Sequence, residues 1–306
     1  MIAVVFPGQG SQKNGMAKDF YAEFPVCRHV FEEAGDAIGE DLRALCFQAD
    51  PRLDLTEYTQ PAILTAEVAM FCALRDVFGF SPDRFAGHSL GEYTALVAAG
   101  VIPLTEAVRL VRERGRRMQE AVPVGQGAMT AVMSADVGVS EIQAMLDGLC
   151  VDVANHNSPE QIVLSGRRAD IDVAEERLRG QLTTVRLRRL TVSAPFHSRL
   201  MRPIEDGFRI LLDGSAGTWS ADKTGCVLSN YTGDVYPPND VSAVVDGLAR
   251  QISGTVRWVD NMRVISGECV RIVEVGPRRP LRGFFRTIGV SVDAVTNLTM
   301  ARRALT

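Results

Sequence analysis

Glycines at positions 87 and 91 bracket a serine in Gly87-His88-Ser89-Leu90-Gly91. This G-x-S-x-G pattern fits a sharp turn between a strand and a helix. Such a turn strains the serine backbone and brings the chain so close to its neighbours that a Cβ would clash. The residues that follow, Glu92-Tyr93-Thr94-Ala95-Leu96-Val97-Ala98-Ala99, are rich in helix formers. A helix there aims its positive N-terminal end at the serine. The pattern is short, and it signifies a nucleophile only if a base, an oxyanion hole and a substrate anchor lie elsewhere in the chain.

A length of 306 residues suits one large domain, or a large domain with a smaller one inserted. A net charge of −4 gives no reason to expect nucleic acid or a membrane surface as partner. Lysine occurs only at positions 13, 18 and 223, so the basic side chains are nearly all arginine. Arginine is the better fork for carboxylates and phosphates, although a GC-rich genome produces the same bias without function. The six cysteines (Cys27, Cys46, Cys72, Cys150, Cys226, Cys269) lie far apart, with no C-x-x-C. That spacing points to reduced thiols in a cytoplasmic protein rather than to disulfides or a metal site. The run Met1 to Phe6 is too short and lacks the charged start of a signal peptide. No apolar stretch approaches the roughly 20 residues needed to cross a bilayer.

Ile2 to Phe6 reads as a buried strand that stops at the glycine-rich loop Pro7-Gly8-Gln9-Gly10-Ser11-Gln12. Residues 25–47 and 61–78 have helical spacing of apolar positions. The elbow alone places a short strand at Phe85-Ala86, and an arginine-studded helix is expected from Thr105 to Glu120. From residue 127 the order changes. Strands are expected at Ala128–Met133, Val151–Ala154, Ile162–Leu164 and Thr184–Leu187, with helices at Ser140–Leu146 and Asp170–Arg179. The order β-α-β-β-α-β is that of a ferredoxin-like unit. It begins and ends inside the chain, so it reads as an inserted subdomain over 125–190, within a core formed by 1–124 and 191–306. Val227–Ser229 and Ile272–Glu274 read as further core strands, and Val241–Arg250 and Pro280–Ile288 as helices.

A serine alcohol is a poor nucleophile until a base takes its proton, and histidine suits neutral pH. There are four histidines. His29 lies in an amphipathic helix with no other polar signal. His88 adjoins the serine, where neighbouring side chains diverge, and so orients or packs. His156 sits in Asn155-His156-Asn157-Ser158-Pro159, which reads as a polar turn. His197, in Ser193-Ala194-Pro195-Phe196-His197-Ser198, remains as the base, and serine before histidine is the chain order of α/β-hydrolase-like triads. No acid stands out as third member, because Asp152, Asp170 and Asp172 all fall in the insert. A backbone or amide carbonyl can hold the imidazole instead, at some loss of basicity.

Five segments occur in order: Phe6-Pro7-Gly8-Gln9-Gly10-Ser11-Gln12, Gly87 to Tyr93, Arg114 with Met118-Gln119-Glu120-Ala121, Ala194 to Ser198, and Glu274-Val275-Gly276-Pro277. Together they resemble the malonyl-CoA:acyl carrier protein transacylases of fatty acid and polyketide synthesis, from residue 1 to about 290. The resemblance implies an α/β fold: an α/β-hydrolase-like core with an inserted ferredoxin-like small subdomain. It implies that Ser89 attacks the malonyl thioester and that His197 acts as base and then as acid. It places the backbone N–H groups of Gln9 and Leu90 in the oxyanion hole, and Arg114 on the free malonyl carboxylate through a two-pronged ion pair. Gln251 matches the position whose carbonyl holds the histidine. Thr255 precedes Val256-Arg257-Trp258 where the family commonly has proline. Phe196, before the base, looks like the malonyl-selective acyltransferases of polyketide synthases; taken alone, it reads equally well as packing for the cleft wall.

The expected partners are malonyl-CoA, as substrate, and an acyl carrier protein; no cofactor is expected, and the family implies a monomer. Two other readings use the same residues. A hydrolase that clears acyl groups from carrier proteins shares the elbow, but a hydrolase of neutral chains has no need of a buried Arg114. An idle carrier-docking module has no need of Ser89, His197 and Arg114 together. Arginines over 112–117 and 278–286 read either as docking surfaces for an acidic carrier or as solvated faces, the second being preferred.

Overall fold

The computed structural model describes residues 1–134, 138–182 and 184–305. Among them are eight strands: β1 (Ile2–Phe6), β2 (Arg84–Gly87), β3 (Gly127–Met133), β4 (Val151–Ser158), β5 (Gln161–Arg167), β6 (Arg186–Arg189), β7 (Arg271–Val275) and β8 (Asp293–Val295). β1 is an unbroken apolar run buried from Ala3 onward, as expected of a parallel strand covered on both faces. It lies between β2 and β7, with β8 outside β7, and all pairs are parallel. The register Phe6↔Gly87 ends β1 and β2 at the same edge. The Pro7-Gly8-Gln9 loop and the Ser89 elbow therefore leave the sheet side by side, at the carboxyl ends where open α/β sheets place their sites.

β3 to β6 form a second, antiparallel sheet in the order β4-β5-β3-β6. The Val139–Met145 and Arg168–Gln181 helices cover it, and Ile142, Leu146, Ile171 and Leu178 pack with Val132, Val153 and Leu164 in a core of their own. Several contacts seat this sheet on the larger body. A Cβ on Gly127 would stand 2.3 Å from Pro195 Cδ. Val256 forms a parallel bridge with Asn155, and Thr255 Oγ1 donates to the Val153 carbonyl across 2.6 Å. The small sheet thus abuts the loops that carry His197 and follow Gln251.

Several sequence expectations need correction. The helix expected over 25–47 is two, Pro25–Ile38 and Leu42–Phe47. Gly39 turns out of the first with φ 66, and Asp41 caps the second by accepting from Ala44 N. The next helix starts earlier, spanning Thr56–Phe78. β4 runs on to Ser158, so Asn155-His156-Asn157 belongs to a strand, bulged where it pairs with β5, and not to a turn. Val227 makes only an isolated parallel bridge to Phe85, because Leu228 at once turns to pair with Val235. The Lys18–Glu23, Glu205–Ala216, Trp258–Glu268 and Leu298–Leu305 helices and β8 have no counterpart among the expected elements. No helix among the described residues is long and apolar enough to cross a membrane.

Candidate active site

Ser89 occupies φ 55, ψ −103, a positive-φ backbone that a non-glycine residue holds only at a cost of about 1–3 kcal/mol. Its surroundings enforce that geometry. A Cβ on Gly87 would fall 1.9 Å from the Gly91 carbonyl oxygen, and one on Gly91 2.2 Å from that of Phe6. Both glycines are thus required by backbone contact. Asn230 ties the turn from outside, accepting from Ser89 N across 2.6 Å and donating to the Gly87 carbonyl across 2.8 Å. Ser89 is followed by the Leu90–Ala98 helix.

Ser89 Oγ lies 2.7 Å from His197 Nε2, and His197 Nδ1 lies 2.7 Å from the main-chain oxygen of Gln251. A carbonyl can only accept, so Nδ1 carries the proton and Nε2 is left to receive one from Ser89. Burial, followed by the nearby Arg114 charge, pushes the His197 pKa down to about 3, against the opposing pull of the Gln251 carbonyl. The imidazole is therefore neutral at physiological pH. The other histidines are elsewhere engaged. His88 Nε2 meets Asn157 Oδ1 at 2.8 Å and the ring packs against Trp258 and Phe284. His29 is exposed near Glu33, and His156 lies in β4. Asp152 and Asp172 are held by Arg199 and Arg189.

Arg114, on the Leu104–Glu120 helix, is 1% exposed. Nη1 donates to Gln60 Oε1 (2.9 Å), and Nη2 donates to Gln251 Oε1 (2.8 Å) and to Ser89 Oγ (3.1 Å). Its guanidinium lies over the Tyr93 ring at 5.5 Å. Nε has no acceptor among the described residues. The groups it donates to are neutral, so a buried cation sits against Ser89 Oγ with a donor to spare. The helix can approach this closely because Gly115 lies against the Thr56 carbonyl, 2.5 Å from where a Cβ would be.

The Gln9 loop meets the elbow at Gly8, where a Cβ would stand 2.3 Å from the His88 oxygen and 3.7 Å from Leu90 N. Among the described residues the backbone N–H groups of Gln9 and Leu90 donate to no acceptor. The Gln9 side chain is anchored by Thr56 Oγ1 (3.1 Å), and Gln119 Oε1 accepts from Thr56 N (3.0 Å). Phe196 is 8% exposed and belongs to the main apolar core.

The structure thus brings Ser89, His197, Arg114 and Gln251 into one hydrogen-bonded cluster, with the Gln9 loop against it. Sequence reasoning missed Gln60, Asn230 and Glu92. Glu92 is wholly buried and accepts from Tyr236 Oη, Asn230 N and Gln251 Nε2. Burial, only partly offset by these donors and by Arg114, raises its pKa to about 7. Its place three residues after the serine was the available signal. The arginines of the Leu104–Glu120 helix divide by role. Arg112 pairs with Glu57 and Glu40 of neighbouring elements, Arg116 with Glu113 and Glu120, and Arg117 with Glu113, all three half-exposed. Arg279, Arg282 and Arg286 are exposed, as a solvated face requires, and line a cleft of about 550 Å³.

The acyl transferase domain family matches residues 3–221. The malonyl CoA-acyl carrier protein transacylase of Escherichia coli strain K12 is 39% identical over 298 residues, covering 96% of this chain and 94% of that protein. The protein of the same name from Bacillus subtilis strain 168 is 37% identical, covering 94% and 90%. Among solved structures, a malonyl-transacylase in complex with its type II PKS acyl-carrier protein superposes with a TM-score of 0.92 at 37% identity, covering 99% of this chain and 98% of that one. The acyl-carrier-protein S-malonyltransferase of Burkholderia pseudomallei 1710b gives 0.91 at 38%, covering 99% of each. With an elbow serine, its histidine and a buried arginine in one cluster, and likeness along nearly the whole chain, the protein belongs to the acyl transferase family, among its malonyl CoA-acyl carrier protein transacylases.

Proposed function

We propose that the protein moves malonyl from coenzyme A to the phosphopantetheine thiol of an acyl carrier protein through an ester on Ser89. The observation that carries this reading is Arg114. A fully buried guanidinium 3.1 Å from the nucleophile, with Nε unsatisfied, is costly unless an anion completes it. The free carboxylate of malonyl is such an anion, delivered two carbons from the attacked carbonyl. A hydrolase of neutral acyl chains gives Arg114 nothing to bind.

In the first half-reaction His197 Nε2 takes the Ser89 Oγ proton as Oγ attacks the thioester carbonyl carbon. The Gln9 and Leu90 N–H groups receive the oxyanion, a contribution of about 3–4 kcal/mol per donor in sites of this kind. Collapse breaks the carbon–sulfur bond, and the leaving thiolate takes the proton from His197. In the second half the carrier thiol gives its proton to His197 and attacks the ester, and Ser89 Oγ leaves with that proton. The Gln251 carbonyl keeps the imidazole in the tautomer both halves need. Phe196 is assigned to the acyl pocket wall beside the base.

The carrier's approach is assigned to the face of the Pro280–Thr287 helix. Its Arg279, Arg282 and Arg286 suit an acidic partner, and its Phe284 ring lies 6.3 Å from His88 of the elbow. We further assign 1–124 and 191–306 to an α/β-hydrolase-like core, on the parallel sheet with the nucleophile after β2. Residues 125–190 are assigned to a ferredoxin-like insert. The second-third-first-fourth order of its strands supports this.

Intact-protein mass spectrometry tests the function. After mixing with malonyl-CoA the chain should gain one malonyl group on Ser89 and lose it to added holo carrier protein. Release to water at the same rate with and without carrier would replace transfer with hydrolysis.

A further inference from the structure

Glu92 takes no part in the steps above, yet its carboxylate binds the Gln251 side chain and the Asn230 backbone, the residues that contact Arg114 and tie the Ser89 turn. The Gln251 side chain has two chemically distinct ends. Its Nε2 donates to Glu92 Oε2 (2.5 Å) and to the Ser89 carbonyl (3.1 Å), while its Oε1 accepts from Arg114 Nη2 (2.8 Å). Turning the amide over would set its oxygen against two acceptors and its NH2 against a guanidinium that has only donors. Glu92, together with the Ser89 carbonyl, therefore sets which end of Gln251 faces Arg114. The same carboxylate accepts from Asn230 N, whose side chain holds Ser89 N and the Gly87 carbonyl. The charged and titratable groups around it are Arg114 from the Leu104–Glu120 helix, Tyr93 from its own helix, and Tyr236, whose hydroxyl donates to Oε1.

We propose that Glu92 is a positioning residue for malonyl selectivity: by fixing the amide of Gln251 it holds the Arg114 guanidinium in register with Ser89. This rests on reading Arg114 as the carboxylate anchor. The positioning is by acceptor geometry. A glutamine at 92 keeps an oxygen toward Gln251 and Asn230, and turns its NH2 toward the Tyr236 hydroxyl, which can rotate to accept. A methionine of similar length offers no strong acceptor and leaves the Gln251 amide held only by the Ser89 carbonyl and Arg114. Removing the Gln251 side chain, while its main-chain carbonyl still holds His197, should have the same consequence.

The measurement is kcat/KM for Ser89 acylation by malonyl-CoA and by acetyl-CoA, in the full-length chain. Glu92→Met and Gln251→Met should each lower the malonyl-to-acetyl ratio about tenfold, a loss typical of one charge-assisted contact made worse. Glu92→Gln should keep the ratio within about threefold of the parent. The double variant E92M/Q251M should fall no further than either single, as residues acting through one contact do. Equal losses toward both thioesters, or a Glu92→Gln loss as large as that of Glu92→Met, would overturn the proposal. If Glu92→Met does not fold, Gln251→Met decides, and a parent-like ratio there overturns it. Arg114→Ala separates the two readings. If it leaves the ratio unchanged, Arg114 is no anchor. If it collapses the ratio while Gln251→Met does not, only the role of Glu92 falls.

Discussion

His197 Nδ1 donates to the main-chain carbonyl of Gln251 across 2.7 Å, in the place where a Ser-His-Asp triad presents a carboxylate. A carbonyl dipole fixes the tautomer but stabilises an imidazolium less than a carboxylate does. As the proposed base, His197 is correspondingly weak, and its distance of 2.7 Å from Ser89 Oγ would compensate through proximity. Ser89→Ala should abolish acyl-enzyme formation, since the covalent route disappears. His197→Ala should leave a slow remainder, about 10²–10⁴-fold below the parent. Mass spectrometry of both variants after malonyl-CoA addition checks this. A malonyl adduct on Ser89→Ala would place the nucleophile elsewhere.

Arg114→Ala should depress malonyl loading strongly while sparing or improving that of acetyl. The malonyl carboxylate must leave water, and only an ion pair in the pocket offsets that loss. Competing the two thioesters for one enzyme sample reads the preference directly. Equal depression of both would make Arg114 a structural residue.

The pH response separates two buried groups of opposite sign. Unfolded, His197 takes its proton near pH 6.5, whereas in the fold it resists until about 3. Its contribution to stability is therefore complete above pH 6.5 and lost as pH falls toward 3. Glu92 behaves inversely, with its pKa raised from 4.5 to about 7. The fold holds a proton that the unfolded chain releases, so its contribution is complete below pH 4.5 and lost as pH rises through 7. The stability of the parent relative to Glu92→Gln should therefore decline from pH 5 to pH 7.5, because other groups cancel in the difference. Denaturant titration of both proteins at the two pH values measures it, and a constant difference would contradict the buried, proton-holding Glu92.

How far the sequence discloses this site depends on how local each constraint is. The elbow is legible because its requirement falls on two glycines within five residues, both confirmed by backbone contacts under 2.3 Å. His197 is reachable by elimination among four histidines. The role of the Gln251 carbonyl leaves no trace in residue type, since every residue carries a carbonyl. Only resemblance pointed there. Asn155-His156-Asn157 reads as a turn by composition. It is a strand because β5 and Val256 satisfy its backbone from two sides: His156 pairs with Ile162 and donates its N–H to the Val256 carbonyl, a near partner and a distant one. Gly39 breaks a periodicity that continues on both sides of it, which is why two helices read as one.

Gly91→Ala should be more damaging than a surface glycine substitution by a wide margin. The added Cβ would meet the Phe6 carbonyl oxygen at 2.2 Å and that of Pro7 at 2.8 Å, both backbone atoms with no rotamer to change. Overpacking of this kind typically costs about 1–3 kcal/mol and more where backbone must move. By contrast Gly180, with nothing near a built Cβ, should accept alanine freely. Thermal melts of the two variants make the comparison. A parent-like melting temperature for Gly91→Ala would mean that the elbow is looser than its contacts imply.

Phe196 completes the set. It directly precedes His197, and it is 8% exposed within the main core. If its ring walls the acyl pocket beside the α-carbon, a methyl branch there has no room, and malonyl-CoA should be preferred over methylmalonyl-CoA. Phe196→Ser should narrow that preference. One methylene is worth only about 1–3 kcal/mol in a pocket, so the ratio of kcat/KM should change tens-fold and not absolutely. Because the ring also contributes to the core, the variant is expected to melt earlier, by about 3–5 kcal/mol for loss of a buried phenyl group. The selectivity ratio is unaffected by that loss as long as both thioesters are compared on the same folded sample. An unchanged ratio would assign the ring to the core alone and move selectivity to other residues of the wall.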